Sequence, residues 1–203
     1  LNYLDDDGMS IEPDYYVPIL PMCLVNGSEG IGTGFSTKIP QHNPLDIIKA
    51  IKNKIEGKAW VPIKPWYRGF KGHINLFDDE NKVYVTKGYC SNPTESTIRV
   101  TELPVGMWIE DYMNYLDTIT IGNTKSKKKK WIKDFTNNSS ETEVDITIKF
   151  DPETLDTVTL KKPKNGILFI EELLKLTTTK HSSYRNMHLF NSRGIIQKYN
   201  DVE

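Results

Sequence analysis

Three short segments between Trp66 and Leu103, "GHINLF", "KVYVTKGY" and "STIRVTEL", alternate apolar and polar residues and are separated by "DDEN" and "SNP". A period of two puts every second side chain on one face of an extended strand, and the turn-forming residues between segments close hairpins. The stretch therefore predicts an antiparallel meander.

Helical signals flank it. Asn43 can cap a helix with Pro44 at its first position, and Leu45, Ile48, Ile51 and Ile55 recur at helical spacing before Gly57. A second helix is expected from Met107 to Leu116, and a third over the apolar "ILFIEELLKL" of residues 167–176. "VDITIKF", "NMHLFN" and "GIIQKY" return to strand patterning, the last two on either side of a turn at Ser192 to Gly194. Residues Tyr15 to Val25, "YYVPILPMCLV", are apolar but hold two prolines, which exclude a helix interior and predict a buried strand-like arm. Thr118 to Glu141 is rich in Asn, Lys, Ser and Thr, with Trp131, Ile132 and Phe135 as its few large apolar residues, so much of it is expected to be mobile. No repeat of fixed period is present, and the sum is an α+β fold, an antiparallel sheet with flanking helices.

With 203 residues, 37% of them hydrophobic, the chain can bury a core without metals or crosslinks. Cys23 and Cys90 are far apart and lack His or Cys neighbours at ligand spacing, which predicts reduced structural thiols rather than a disulfide or zinc site. No apolar run approaches the ~18 residues needed to cross a bilayer, and the acidic start, Leu1 to Gly8, is unlike a secretion signal. The chain reads as intracellular, with no membrane partner, and its abrupt start is that of a fragment.

The net charge of -1 conceals segregation: "DDD" at Asp5 to Asp7 stands against "KSKKKKWIK" from Lys125 to Lys133. A polyanion would meet local patches, and four lysines from Lys127 to Lys130 would make such binding salt-dependent. The three aspartates are consecutive, which suits a solvated acidic loop better than a metal site.

"EGIGTGFSTKIP", Glu29 to Pro40, carries Gly30, Gly32 and Gly34 around an apolar Ile31. A nucleotide-cradling loop fits poorly, because no GK[ST] follows and Phe35 stands where GxGxxG needs its third glycine. A hairpin turn explains the glycines but not Ile31. An exposed β-branched residue between glycines, with Ser36, Thr37 and Lys38 nearby, has the form of a wedge between stacked base pairs.

"IEPDYYVPILPMCLVNGSEGIGTGFSTKIPQHNPLDII" closely resembles the segment that follows the catalytic tyrosine in type IIA DNA topoisomerases. "PWYRGFKGHI", "TELPVGMW", "KKWIKDF" and "NMHLFNSRGIIQKY" stand in the order of the eukaryotic and large-DNA-virus branch, topoisomerase II, so the resemblance spans the whole chain. It implies the end of a winged-helix domain over residues 1–22 and a tower domain over 23–203, with a DNA-bending loop near 29–40. By the same resemblance Ile31 intercalates, Trp108 contacts DNA, and Ser36, Thr37, Lys38, Arg68 and Lys71 are candidate DNA contacts. Gly106 stands where relatives commonly carry a basic residue.

The family's mechanism implies double-stranded gate DNA as partner, a homodimer, a nuclear location, and Mg2+ and ATP bound outside this chain. None of the ten tyrosines lies in an Arg-Tyr sequence like the family's nucleophile, which is expected upstream of Leu1, so the chain alone is expected to be inactive; Tyr15 and Tyr16 read as packing residues. The rival reading is a protein-interaction module in which the glycine loop is a plain hairpin and the lysine run docks an acidic partner.

Overall fold

In a computed structural model, residues 1–80, 82–91, 94, 96–121, 130–161 and 167–203 are described, with 179–182 by their backbone alone. Among them the chain forms thirteen strands and five helices. β1 (Tyr3–Asp6) and β2 (Met9–Pro13) make an antiparallel hairpin. A one-turn helix, α1 (Met22–Val25), leads into a second hairpin of β3 (Ser28–Gly32) and β4 (Phe35–Ile39). Helix α2 follows (Pro44–Ile55), capped as its sequence requires: the Asn43 carboxamide oxygen accepts from the Leu45 amide at 2.9 Å.

The predicted meander exists as strands but not as one sheet. β5 (His73–Asp78) and β6 (Val83–Lys87) pair with each other, and β6 also pairs with β11 (Thr177–Ser183). β7 (Tyr89–Cys90) and β8 (Thr97–Glu102) belong to a second sheet ordered β7-β8-β10-β9, with β9 (Asp134–Asn137) and β10 (Ile146–Lys149). The chain changes sheet at Gly88, where a Cβ would collide with the Glu102 carbonyl. The Gly88 amide donates to the Leu176 carbonyl at 2.9 Å, and beside it Lys87 and Glu171 form a half-buried ion pair at 3.0 Å.

Two cores result. The larger lies under the β7–β10 sheet: Ile98 and Val100 of β8 and Ile146 and Ile148 of β10 pack on Tyr112, Leu116 and Ile119 of α3 (Ile109–Ile121). Leu155 and Val158 of α4 (Pro152–Thr159) and Ile170 and Leu173 of α5 (Phe169–Leu173) close it. Each such side chain contributes about 1.5–3 kcal/mol relative to an exposed one. The smaller core joins Ile39, Tyr84, Tyr184 and Met187, and its neighbour joins Ile47, Ala50 and Ile63, with Leu24 and Val202 packed against both. The last hairpin, β12 (Met187–Phe190) and β13 (Ile196–Tyr199), stands beside these smaller clusters.

Several expectations are corrected. The segment from Tyr15 to Val25 is neither a strand nor buried: Tyr15, Tyr16, Val17 and Ile19 are exposed, and the prolines leave an irregular arm ending in α1. Asp5 to Asp7 are not in a loose loop, because Asp5 and Asp6 lie in β1, and the Asp5 carboxylate accepts from the Gly8 amide at 3.0 Å in the hairpin turn. α2 buries Ile47 and Ala50, while Leu45 and Ile55 are exposed; the helix position is readable from the sequence, its buried face is not.

α3 starts two residues after Met107 and runs five residues past Leu116. Part of the segment expected to be mobile is built into the fold: Ile132 is buried, Trp131 packs on Phe169, and β9 is paired with β10. The third helix shrinks to α5 because Lys175 takes a positive φ of 49° and the Leu176 amide turns back to the Glu171 carbonyl. α4 is an addition to the expected elements, although Asp151-Pro152-Glu153 is a helix start.

Candidate nucleic-acid interface

The β3–β4 hairpin has a rigid root and a bare tip. At the root Gly27 takes φ 69°, and a Cβ there would lie 2.7 Å from the Ile39 carbonyl, so the close crossing of the strands requires glycine. The His42 amide donates to the Leu24 carbonyl at 2.8 Å, and the Lys38 amide donates to the Asn186 carbonyl at 2.7 Å. Behind the root the His42 ring is fully buried, with Nε2 2.7 Å from the Tyr184 hydroxyl and Nδ1 3.2 Å from the Leu24 carbonyl. A neutral ring satisfies both by donating from Nδ1 and accepting at Nε2, and burial accordingly holds the His42 pKa below 6.5.

At the tip Thr33 and Gly34 make a two-residue turn between Gly32 and Phe35, with Gly34 at φ 78°. Ile31, one residue before the end of β3, is 94% exposed. Of the three glycines only Gly34 needs its positive φ; a Cβ on Gly30 would meet nothing within 4 Å, and one on Gly32 would sit 3.8 Å from the Phe35 carbonyl. The fold itself gives no reason for glycine at 30 and 32. They strip the surface on both sides of Ile31. No helix begins at this loop, since α2 starts only at Pro44, which removes the geometry a phosphate-cradling loop would need.

Ser36 and Thr37 brace the hairpin from the side. The Asn186 carboxamide donates to the Ser36 hydroxyl at 2.8 Å, and the His188 amide donates to the Thr37 hydroxyl at 3.2 Å. Lys38 pairs across the hairpin with Glu29 at 3.2 Å, a contact worth about 0–1 kcal/mol at this exposure. Lys38 also lines an open cleft with Tyr67, Val105 and Gly106. Two turns converge there. In the first the Phe70 amide donates to the Tyr67 carbonyl at 3.1 Å, with exposed Arg68 at its corner and Gly69 at φ 82°. In the second the Met107 amide donates to the Pro104 carbonyl at 3.1 Å, with Gly106 at φ 83°, a conformation a basic side chain would adopt only under strain.

That second turn presents Trp108, 75% exposed, whose carbonyl accepts the first amide bond of α3 from Tyr112. Trp108 is thus no core anchor. Lys71 stands apart, 3.6 Å from Glu143 in a separate cleft with Arg99 and Asp145, and is not brought to the hairpin. Of the run Lys127 to Lys130, only Lys130 falls within the described residues, and it is exposed. Among the described residues no three His, Cys, Asp or Glu side chains converge as a divalent cation requires, and no helix is long and apolar enough to cross a membrane.

Residues 1–203 match the family model of the DNA gyrase/topoisomerase IV A-type subunit. The chain belongs to this family. Within it, the chain is 43% identical over 194 residues to the DNA topoisomerase 2 of Pisum sativum, covering 96% of this chain and 12% of that protein. It is 38% identical over 199 residues to the DNA topoisomerase 2 of Plasmodium falciparum, covering 98% and 13%. The crystal structure of the Plasmodium falciparum topoisomerase II DNA-binding, cleavage and re-ligation domain superposes with a TM-score of 0.81 at 36% identity, over 99% of this chain and 25% of that one. The α+β fold of small antiparallel sheets is that of this domain. The chain spans about one-eighth of the length of these curated relatives and is homologous to the DNA-binding and cleavage region of type II topoisomerases, which does not favour the interaction-module alternative.

Proposed function

We propose that this chain is the DNA-binding and DNA-bending part of an ATP-dependent type II DNA topoisomerase, which changes DNA topology through transient double-strand breakage and strand passage. Residues 1–22 form the end of the winged-helix region, and 23–203 the tower. Ile31 enters between base pairs of the gate duplex, Lys38 and Arg68 take backbone phosphates near the kink, and Ser36 and Thr37 offer hydroxyls at its edge. Trp108 packs on the duplex beside them, while Lys71 serves flanking DNA at most through its own cleft.

The observation that carries this reading is Ile31: a large apolar side chain 94% exposed on a two-strand tip, between glycines that nothing among the described residues demands. An apolar wedge costs exposure in the free protein and is repaid by stabilising a kinked duplex, whose bending costs about 1–6 kcal/mol. The Mg2+ and ATP of the whole enzyme would be held elsewhere in the protein, as would the nucleophilic tyrosine and the contacts of a homodimer. The chain acts in the nucleus, although one relative is by its name mitochondrial.

The test is gate-duplex bending by fluorescence energy transfer in the full-length protein, with and without Ile31→Ala. Loss of bending with most of the salt-dependent binding retained supports the wedge. Unchanged bending means that the hairpin is only a turn.

A further inference from the structure

The β12–β13 hairpin carries a feature the wedge does not use. β12 runs beside β4, and a groove between the two hairpins is walled by Gly30, Ile31 and Phe35 on one side and Leu189, Phe190 and Ile196 on the other. Phe190 is 71% exposed and Ile195 59% exposed, on a tip that no other part of the chain covers among the described residues. The tip itself is well formed: the Asn191 carboxamide oxygen accepts from the amides of Arg193 and Ile195 at 2.9 and 3.1 Å, with Gly194 at φ 71°.

Charge indicates the occupant. From Tyr184 to Asn200 the sequence holds Arg185, Arg193 and Lys198 and no Asp or Glu, and the adjoining β3–β4 hairpin holds Lys38 opposite Glu29. The net positive charge of the two adjoining hairpins is therefore that of β12–β13. An apolar face edged by cations suits a partner with apolar walls between rows of negative charge. The deoxyribose faces and phosphates lining a widened minor groove have that character.

We propose that the β12–β13 hairpin is a second DNA-contacting element: Phe190 and Ile195 lie on the deoxyribose wall next to the step opened by Ile31, and Arg193 and Lys198 meet the phosphates on either side. The proposal rests on the DNA-bending reading above. It gives the groove between the hairpins a purpose, since the backbone bulging from a kinked duplex would lie along it. Ser36 and Thr37, bonded to Asn186 and the His188 amide, fix the distance between the two tips.

The experiment measures affinity of the full-length protein for a gate duplex across a salt series, together with bending and thermal unfolding, for Phe190→Ser, the pair Arg193→Gln and Lys198→Gln, and Ile31→Ala. Phe190→Ser is expected to weaken binding about tenfold, and the paired charge removal to lower the slope of log affinity against log salt by about two. Both should leave the unfolding temperature unchanged, because the side chains are exposed. If affinity and slope stay at the wild-type values while Ile31→Ala still abolishes bending, the second element is refuted and the wedge stands. If Phe190→Ser lowers the unfolding temperature and leaves the salt slope intact, the patch is covered by protein, a second copy or another segment, and the proposal also fails. If the wild-type protein does not bend the duplex, the underlying reading fails with it.

Discussion

Gly30→Ala separates what the fold needs from what a ligand needs. A methyl group at position 30 would meet nothing within 4 Å, and the residue has no positive φ to lose. Replacing glycine at such a site reduces the freedom of the unfolded chain and should stabilise by about 0.4–1 kcal/mol. For a chain of this size that is a rise of about 1–4 °C in the unfolding midpoint. Gly27→Ala is the control: with φ 69° and its Cβ 2.7 Å from the Ile39 carbonyl, it should cost about 1–3 kcal/mol. Circular dichroism melts of the chain measure both. The same Gly30→Ala, placed in the full-length protein, should reduce gate-duplex bending, because the duplex must close around the hairpin tip and the added methyl thickens the face opposite Ile31. A lowered melting point would show that glycine 30 serves the hairpin. A raised melting point with unimpaired bending would show that the bare surface around Ile31 serves nothing in DNA binding.

Two further outcomes test the interior. His42 is held neutral by burial, so its folded pKa lies below the unfolded 6.5, and the unfolded state binds more protons as pH falls. Stability from this site is complete above pH 6.5 and declines as pH drops below it; His42→Gln should flatten that part of the pH–stability curve, and an unchanged curve would refute the assignment. Tyr112 is fully buried, and its hydroxyl has no hydrogen-bond partner among the described residues, so Tyr112→Phe should be neutral or stabilising by up to about 1 kcal/mol in denaturant titration, where a loss above that would reveal a hidden partner.

What can be read from the sequence is set by local chemistry. Asn43, Pro44 and Gly57 fix the limits of α2 because capping and positive φ are decided within a few residues. Which face α2 buries is decided by Ile63 and Leu24, far along the chain or on another element, and the apolar stripe inferred from spacing alone is rotated from the true one. Strands are legible for the same local reason, whereas sheet membership is not, since β6 takes a partner some ninety residues later in β11. The bareness of Ile31 is legible because glycines on both sides of an apolar residue are hard to reconcile with burial. The brace from Asn186 to Ser36 is not, as those residues lie 150 positions apart. The charge pattern of β12–β13 is present in the sequence but carries meaning only once that hairpin is seen beside the first.

The bond between the Gly88 amide and the Leu176 carbonyl has a consequence for how such a chain can be altered. Among the described residues, the larger core is built from residues after Gly88 up to and including Leu176, and the two smaller clusters behind the hairpins from residues outside that stretch. The polypeptide leaves the base and returns to it at points one hydrogen bond apart, so residues 89–175 are a detachable excursion. A short bridge could replace them, or a different fold be grafted there, without moving Ile31 or its root. Exchange of that excursion would leave Ile31 and its root in place, and would take with it Trp108 and the Val105–Gly106 wall of the Lys38 cleft.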